Sequence, residues 1–362
     1  MQDKINVLPV LTWNHLGVNW AGKEFSLPEA PKEKPSEERL SVSLLPSGVE
    51  RIETFPKGKN EMESGIGKAY DDYVIEDANV TCFLGVRGKT EQVIRLKSSI
   101  PGLHTAIIGD YGIYAEEESS ITLLQEASAA EGGSGFTAEL TRIYAEKGSL
   151  VKLIQVQDLN RFCSSWNGVA IHAEDGARVE VIRAVLGGDK VALGTKTLLK
   201  GKESSYLLNT AYFGDQTQVF DFNDTSEHWG KNTQCDMYTA GVLAGESSKT
   251  LRGTIDFKRG AAYSAGHETE EVLMLGKKVR NRTVPLILCG EEQVEGQHAA
   301  TIGRLDESQI YYLCSRGLTS LQARLLLVEG RFAPVLGQIP DEKLREVLSS
   351  QIERRLKDND TK

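Results

Sequence analysis

Histidine and cysteine are the side chains best suited to metal, thiolate or proton-transfer chemistry, and this chain of 362 residues has six of one and five of the other. The histidines are His15, His104, His172, His228, His267 and His298. None forms an HxH, HExxH or HxxxH pair, so no local metal or protease motif is present. The cysteines, Cys82, Cys163, Cys235, Cys289 and Cys314, are odd in number, widely spaced and without a CxxC. That pattern predicts neither a disulfide framework nor a preformed zinc site, but a reduced protein whose thiols are mostly small buried hydrophobes. Gly88-Lys89-Thr90 ends like a phosphate-binding loop, yet Phe83 stands where the first glycine is needed. Both glycines and a following helix are required to cradle phosphates, so no bound nucleotide is expected. No Ser–His–Asp or Cys–His set can be read from spacing, because such partners meet only in space, and a non-enzyme is expected.

The bulk numbers narrow the setting. Hydrophobic residues make up 40% and charged residues 26%, an ordinary soluble balance, and the net charge is −9. The acidic excess disfavours nucleic acid and anionic membrane as general partners. Met1-Gln2-Asp3-Lys4 does not open a signal peptide, and no apolar run reaches transmembrane length. A cytoplasmic protein is expected.

Three regions must position any site. Residues 1–70 carry Pro9, Pro28, Pro31, Pro35, Pro46 and Pro56 and a charged stretch at 29–39, and read as an arm or linker. Trp13 and Trp20 are expected to pin this arm to the body. Residues 71–304 read as short strands and turns with little room for helices. Here Ile113-Tyr114-Ala115-Glu116 recurs as Ile143-Tyr144-Ala145-Glu146 and Ile171-His172-Ala173-Glu174. Aligned copies put Ile121, Val151 and Val179 in one inward column and Leu123, Leu153 and Val181 in the next. Thr122, Lys152 and Glu180 fall on the outward face, with His172 as an exposed ladder residue. A further step places Leu198, Tyr206 and Leu208 in the corresponding columns, with Lys200 where the alanines stood. Each copy has an apolar face it cannot bury alone, so stacked coils are predicted: a mainly β, right-handed parallel β-helix. A β-sandwich is the rival architecture. Glu131-Gly132-Gly133-Ser134-Gly135 is expected to be a loop within a coil.

Residues 305–362 change to helical period. Asp306 can cap a helix running to Gly317, Thr319 and Gln322 fit a capping box, and Pro340 suits the first turn of a last amphipathic helix. The tail 357–362 is expected to fray.

One segment is specific. Val284-Pro285-Leu286 opens a strand that an acidic turn and His298-Ala299-Ala300-Thr301-Ile302-Gly303-Arg304-Leu305-Asp306 follow. Tyr311-Tyr312-Leu313-Cys314-Ser315-Arg316-Gly317 comes next. This resembles the C-terminal signature of the SufB/SufD family of iron–sulfur cluster assembly scaffolds. Gly241-Val242-Leu243, Leu251-Arg252-Gly253, Gly260-Ala261 and the opening Leu8-Pro9 with Thr12-Trp13 also match. The resemblance implies a β-helix scaffold without turnover of its own. It would pair with a SufB-like subunit or a second copy, and dock a SufC-like ABC ATPase on its C-terminal helices through Tyr311, Tyr312, Leu313 and Arg316. A transient iron–sulfur cluster or iron would sit at the subunit interface. SufB-type members carry a cysteine where this chain has Val279, and flank the histidine with glutamates where it has Gln297 and Ala299, which makes it SufD-like. His298 is then the candidate iron or cluster contact and Cys289 a weaker one, with 279–303 at or near the interface. Two alternatives stay open: a SufB-like subunit nucleating a cluster through Cys163, Cys235 or Cys289, and a carbohydrate-active β-helix.

Overall fold

The computed structural model describes residues 4–29, 40–56, 58 and 62–360. Two short strands, β1 (Leu40–Val42) and β2 (Val49–Ile52), precede helix α1 (Lys68–Asp77). Eight two-strand coils follow. The first four are β3 (Val80–Val86) and β4 (Lys89–Ile100), β5 (Thr105–Ala115) and β6 (Ser120–Ala129), β7 (Gly135–Ala145) and β8 (Leu150–Leu159), β9 (Cys163–Ala173) and β10 (Arg178–Gly187). The last four are β11 (Lys190–Leu199) and β12 (Ser205–Gly214), β13 (Val219–His228) and β14 (Gln234–Leu243), β15 (Ser248–Phe257) and β16 (Ser264–Met274), β17 (Arg280–Cys289) and β18 (Val294–Gly303). Even-numbered strands from β4 stack as one parallel sheet and odd-numbered strands from β3 as the other. This is the parallel β-solenoid expected from the repeat. β1 and β2 close its first coil as antiparallel edge strands, against β4 and β3.

The register explains the repeat. Ile121, Val151 and Val179 are aligned partners, as are Leu123, Leu153 and Val181. All six are buried, and full burial of such a side chain contributes roughly 1.5–3 kcal/mol. On the outward face Lys152 pairs with Glu180 at 3.5 Å. The corners repeat as well. The third residue of the turn after β7 and β9 is Gly148 or Gly176, at φ 65° and 64°, where a side chain would be strained. Ser119, Ser149 and Ser204 each donate a hydroxyl hydrogen bond to the carbonyl three residues back, at 2.6, 2.6 and 2.8 Å. The glycine-rich 131–135 stretch joins β6 to β7, and Gly88 leads into strand β4 rather than a helix.

The structure corrects the alignment beyond residue 190. Thr197, not Leu198, is the partner of Ile171, and Leu199, not Lys200, is the partner of Ala173. The connection between coils has shortened, from 130–134 to 160–162 to 188–189, so a constant step overshoots by one residue. That shift moves Leu198 to the half-buried outer face, while Tyr206 and Leu208 keep their expected places beside Val179 and Val181. His172 is half-buried rather than exposed: its ring stacks on Tyr144 with centroids 4.5 Å apart, and Nε2 lies 2.9 Å from Glu174 Oε1.

Both outer sheet faces are partly covered. On the odd-strand sheet, Ile5, Phe25, Ile66, Tyr70 and Val74 pack over Ile108, Ala138, Leu140 and Trp166. The expected boundary at 70/71 therefore falls inside α1, a helix the sequence reading did not foresee. Trp13 is 58% exposed rather than buried against the body, with its ring edge-on to His15 at 6.4 Å. Trp20 is half-buried, with Lys4 Nζ 3.4 Å from its ring centroid. Of the charged stretch at 29–39 only Glu29 is among the described residues.

Three helices end the chain: α2 (Glu307–Ser315), α3 (Ser320–Leu336) and α4 (Glu342–Asp360). Asp306 caps α2 by accepting from Ser308 N, and Thr319 and Gln322 form the capping box of α3. Asp341 Oδ1 accepts from Leu344 N at the start of α4, so Pro340 lies just outside the helix rather than in its first turn. The tail is helical through Asp360, and 361–362 lie outside the described residues. Val328, Phe332, Val335, Ile352 and Leu356 pack on the outer face of the even-strand sheet, over Ile154, Ile182 and Phe213.

His228 lies fully buried inside the solenoid, in the column of Leu199 and Phe257. Its Nδ1 lies 2.7 Å from Thr233 Oγ1. Burial pushes its pKa down to about 4. A depressed histidine contributes stability that is whole above its unfolded pKa and is lost as pH falls toward the folded one. Acidification from about pH 6.5 to about pH 4 should therefore cost roughly 3 kcal/mol through this residue. Denaturant titrations at a series of pH values should show a shallower acid limb for His228→Leu; an unchanged limb would sink the assignment.

Candidate functional site

The last coil differs from the others. Among the described residues, β17 and β18 are the final strands of their sheets, each paired on one side only. Of the C-terminal helices, α3 packs on β10, β12 and β14. Most of 280–303 is exposed or half-buried. An uncovered row of strand N–H and C=O groups is a template for another chain.

His298 sits on β18 in a column that runs Ile94, Leu123, Leu153, Val181, Leu208, Met237, Glu268 and His298. The column is apolar for six coils and ionisable for the last two. Nδ1 of His298 lies 3.3 Å from Glu268 Oε2, at ion-pair distance. The Glu268 carboxylate raises the His298 pKa, against a smaller opposing effect of burial. With Nδ1 turned to a carboxylate, Nε2 is the nitrogen left for a ligand; such pairs orient an imidazole and increase its basicity.

Glu268 is itself buried, and a neighbour makes room for it. A Cβ built at Gly253 would lie 1.8 Å from Glu268 Oε1. The Arg252-Gly253 pair thus has a physical role: the glycine leaves space for the carboxylate beneath His298. Arg252 is buried too, donating from Nε to Val18 O at 2.6 Å and from Nη1 to Asp221 Oδ1 at 2.7 Å. Beside this pair lies Lys249, fully buried and ion-paired with the fully buried Glu270. Burial pulls the Lys249 pKa down, and Glu270 opposes that pull. Thr283 donates to Glu270 Oε2 at 2.5 Å. One coil group further in, Arg183 Nη1 pairs with Asp224 Oδ1 at 3.1 Å.

The sequence reading missed Lys249, Glu268 and Glu270. Their signal was strand parity: Glu268 and Glu270 occupy the inward positions of Met237 and Thr239 one coil earlier.

Cys289 is exposed at the end of β17, in the column of His228 and Phe257, on the sheet opposite His298. Val279 packs against the interior apolar cluster that includes Val272 and Leu251. Cys163 and Cys235 are buried; burial raises both thiol pKa values, that of Cys235 to about 12, so both stay protonated. Among the described residues no group of three or more His, Cys, Asp and Glu side chains is arranged to hold a metal, and no helix is long and apolar enough to cross a membrane. Tyr311 and Tyr312 are 78% and 56% exposed on α2. Arg316, also exposed, stacks over Tyr312 at 5.2 Å, and Leu313 is half-buried. The helix therefore offers an aromatic–arginine surface on a different element from His298.

Comparison with known proteins agrees with this architecture. Residues 99–331 match the family described as SUF system FeS cluster assembly, SufBD core domain. The chain is 32% identical over 183 residues to the iron–sulfur cluster assembly protein SufD of Bacillus subtilis, covering 51% of this chain and 39% of that protein. It is 26% identical over 238 residues to an iron–sulfur cluster assembly SufBD family protein of Pyrococcus horikoshii, covering 65% and 52%. With SufD of Escherichia coli it shares 26% identity over 172 residues, covering 48% and 41%. These alignments span about half or less of each relative. A solenoid with this terminal signature belongs to the SufB/SufD family, and this chain is a SufD-like member of it.

Replacing Glu268 by Gln, or Gly253 by Ala, should lower the His298 pKa, because each removes or displaces the carboxylate that favours the imidazolium. An NMR titration of the His298 ring protons reads this directly. A pKa that stays put in both variants would separate His298 from Glu268.

Proposed function

We propose that this chain is a non-catalytic scaffold subunit of a cytoplasmic iron–sulfur cluster assembly complex. In this reading it pairs through its last coil with a SufB-like subunit or a second copy, and docks a SufC-like ABC ATPase on α2. The observation that carries the reading is the last coil holding His298, half-buried and backed by a buried carboxylate, at a solenoid end where the described residues add no further strand. The cluster is cargo here. His298 can contribute one nitrogen to it and Cys289 one sulfur from the same coil; the remaining ligands belong to the facing subunit, as thiolate-rich clusters require. The five free cysteines suit a reducing compartment.

The buried, protonated state of Cys163 and Cys235 favours this over cluster nucleation by the chain's own thiols. Coverage of both outer sheet faces by the arm and the helices likewise disfavours a carbohydrate-binding face.

Anaerobic reconstitution with a SufB-like partner tests the site. His298→Ala should reduce cluster yield several-fold while the complex still co-purifies; undiminished yield would remove His298 from the site. For the helix, Tyr311→Ala with Tyr312→Ala should weaken ATPase binding by about tenfold or more, as expected for aromatic anchors. An unchanged Kd would move the dock elsewhere.

A further inference from the structure

The outer face of the odd-strand sheet carries an arginine cluster separate from His298. Strand parity turns Arg280 and Arg282 of β17 outward, in register with Ser248 and Thr250 of β15. Arg252 points the same way on β15, two residues beyond Thr250, and reaches the N-terminal arm at Val18 O. Between arm and sheet lies a cavity of about 160 Å³, lined by all three arginines and by Gly17, Trp20 and Gly22 of the arm. Two exposed arginines on a strand are ordinarily a solvated face. Here the arm and a fully buried Arg252 make them walls of an enclosure.

The donors of this cluster are not used up. Arg252 gives Nε to Val18 O and Nη1 to Asp221 Oδ1, which leaves Nη2 without a partner among the described residues. Arg280 and Arg282 form no ion pair among those residues either. Glu24 folds back over Gly22, where a Cβ would lie 2.2 Å from its Oε2, and makes no ion pair with the three arginines. Arg280 also acts on Glu246, but that carboxylate is held by Lys278 Nζ at 2.7 Å. The other cation on the wall, Lys249, is taken up by Glu270. Three guanidinium groups set against Asp221 and Glu24 leave one positive charge uncompensated, 3 − 2. Like charges gathered where water is partly excluded repel, and an anion between them relieves that cost. The planar guanidinium fork matches oxyanions, which accept two parallel N–H bonds from it. The cavity is smaller than the roughly 300 Å³ at which pockets begin to enclose drug-sized organic ligands. It suits a small oxyanion rather than a nucleotide.

We infer that this cavity is a binding site for a phosphate-type oxyanion, held by Arg280, Arg282 and Nη2 of Arg252. Those groups belong to β15 and β17 while the roof belongs to the arm, so a bound anion fastens the arm to the last coil.

Isothermal titration calorimetry of the full chain with inorganic phosphate at low ionic strength tests the site. The wild type should bind one phosphate with a Kd at or below about 1 mM. Arg280→Gln with Arg282→Gln should raise that Kd by about tenfold or more. Both side chains are exposed, so this variant should keep the wild-type circular dichroism. Phosphate should raise the melting temperature of the wild type and not that of the double variant. Arg161→Gln, which removes an exposed arginine from the loop before β9, should leave the Kd unchanged. No saturable binding up to about 10 mM, or a Kd indifferent to the double variant, would overturn the site. An equal loss in Arg161→Gln would also overturn it, since binding would then follow overall charge. Acetate binding as tightly as phosphate would overturn the assignment to a phosphate-type ion.

Discussion

Parallel backbone pairing of each coil with the next is the interaction on which the rest of this molecule depends. A single coil has an apolar inner face and nothing to bury it against, so coils are stable only as a stack. Pairing in register lines up like side chains, which is why Ile121, Val151 and Val179 form a ladder. It also means that a stack has two ends. At the first, β1 and β2 run antiparallel and close the edges. At the other, β17 and β18 meet no further strand among the described residues. The asymmetry between the ends sets the last coil apart before any side chain is considered.

The interior changes character in step with that asymmetry. Six coils of one column are apolar, and the last two hold Glu268 and His298. A carboxylate deep in a solenoid must be offset by a partner and hydrogen bonds, or it protonates. Here Glu268 faces His298, Glu270 faces Lys249, and Thr283 adds a hydrogen bond. Gly253 supplies the volume by omission. An imidazole placed near the open edge is reachable from outside while its orientation is set from within.

The added segments divide the outer surface between them. The arm and α1 lie on the odd-strand sheet, and α3 and α4 lie on the even-strand sheet. The arm also carries an exposed apolar tip at Val10, Leu11, Trp13 and Leu16, and α2 an exposed aromatic face at Tyr311 and Tyr312. Buried Arg252 joins these levels, because one guanidinium binds the arm through Val18 O and the coil through Asp221, next to the glycine that makes room for Glu268.

By itself the sequence determined what is local or strictly periodic. The repeat at 113–174 specified stacked coils, because strand parity and turn chemistry are written within a few residues. Asp306, Thr319 and Gln322 specified helix starts for the same reason, and the segment around His298 carried the family resemblance. Only the tertiary structure decided what depends on register across coils. Connections that shorten by a residue or two put Thr197 rather than Leu198 beside Ile171. The same long-range register brings Glu268 under His298 and Lys249 to Glu270. It also left Trp13, an expected anchor, exposed. Such contacts join residues tens or hundreds of positions apart, and their existence depends on the summed length of every loop between them.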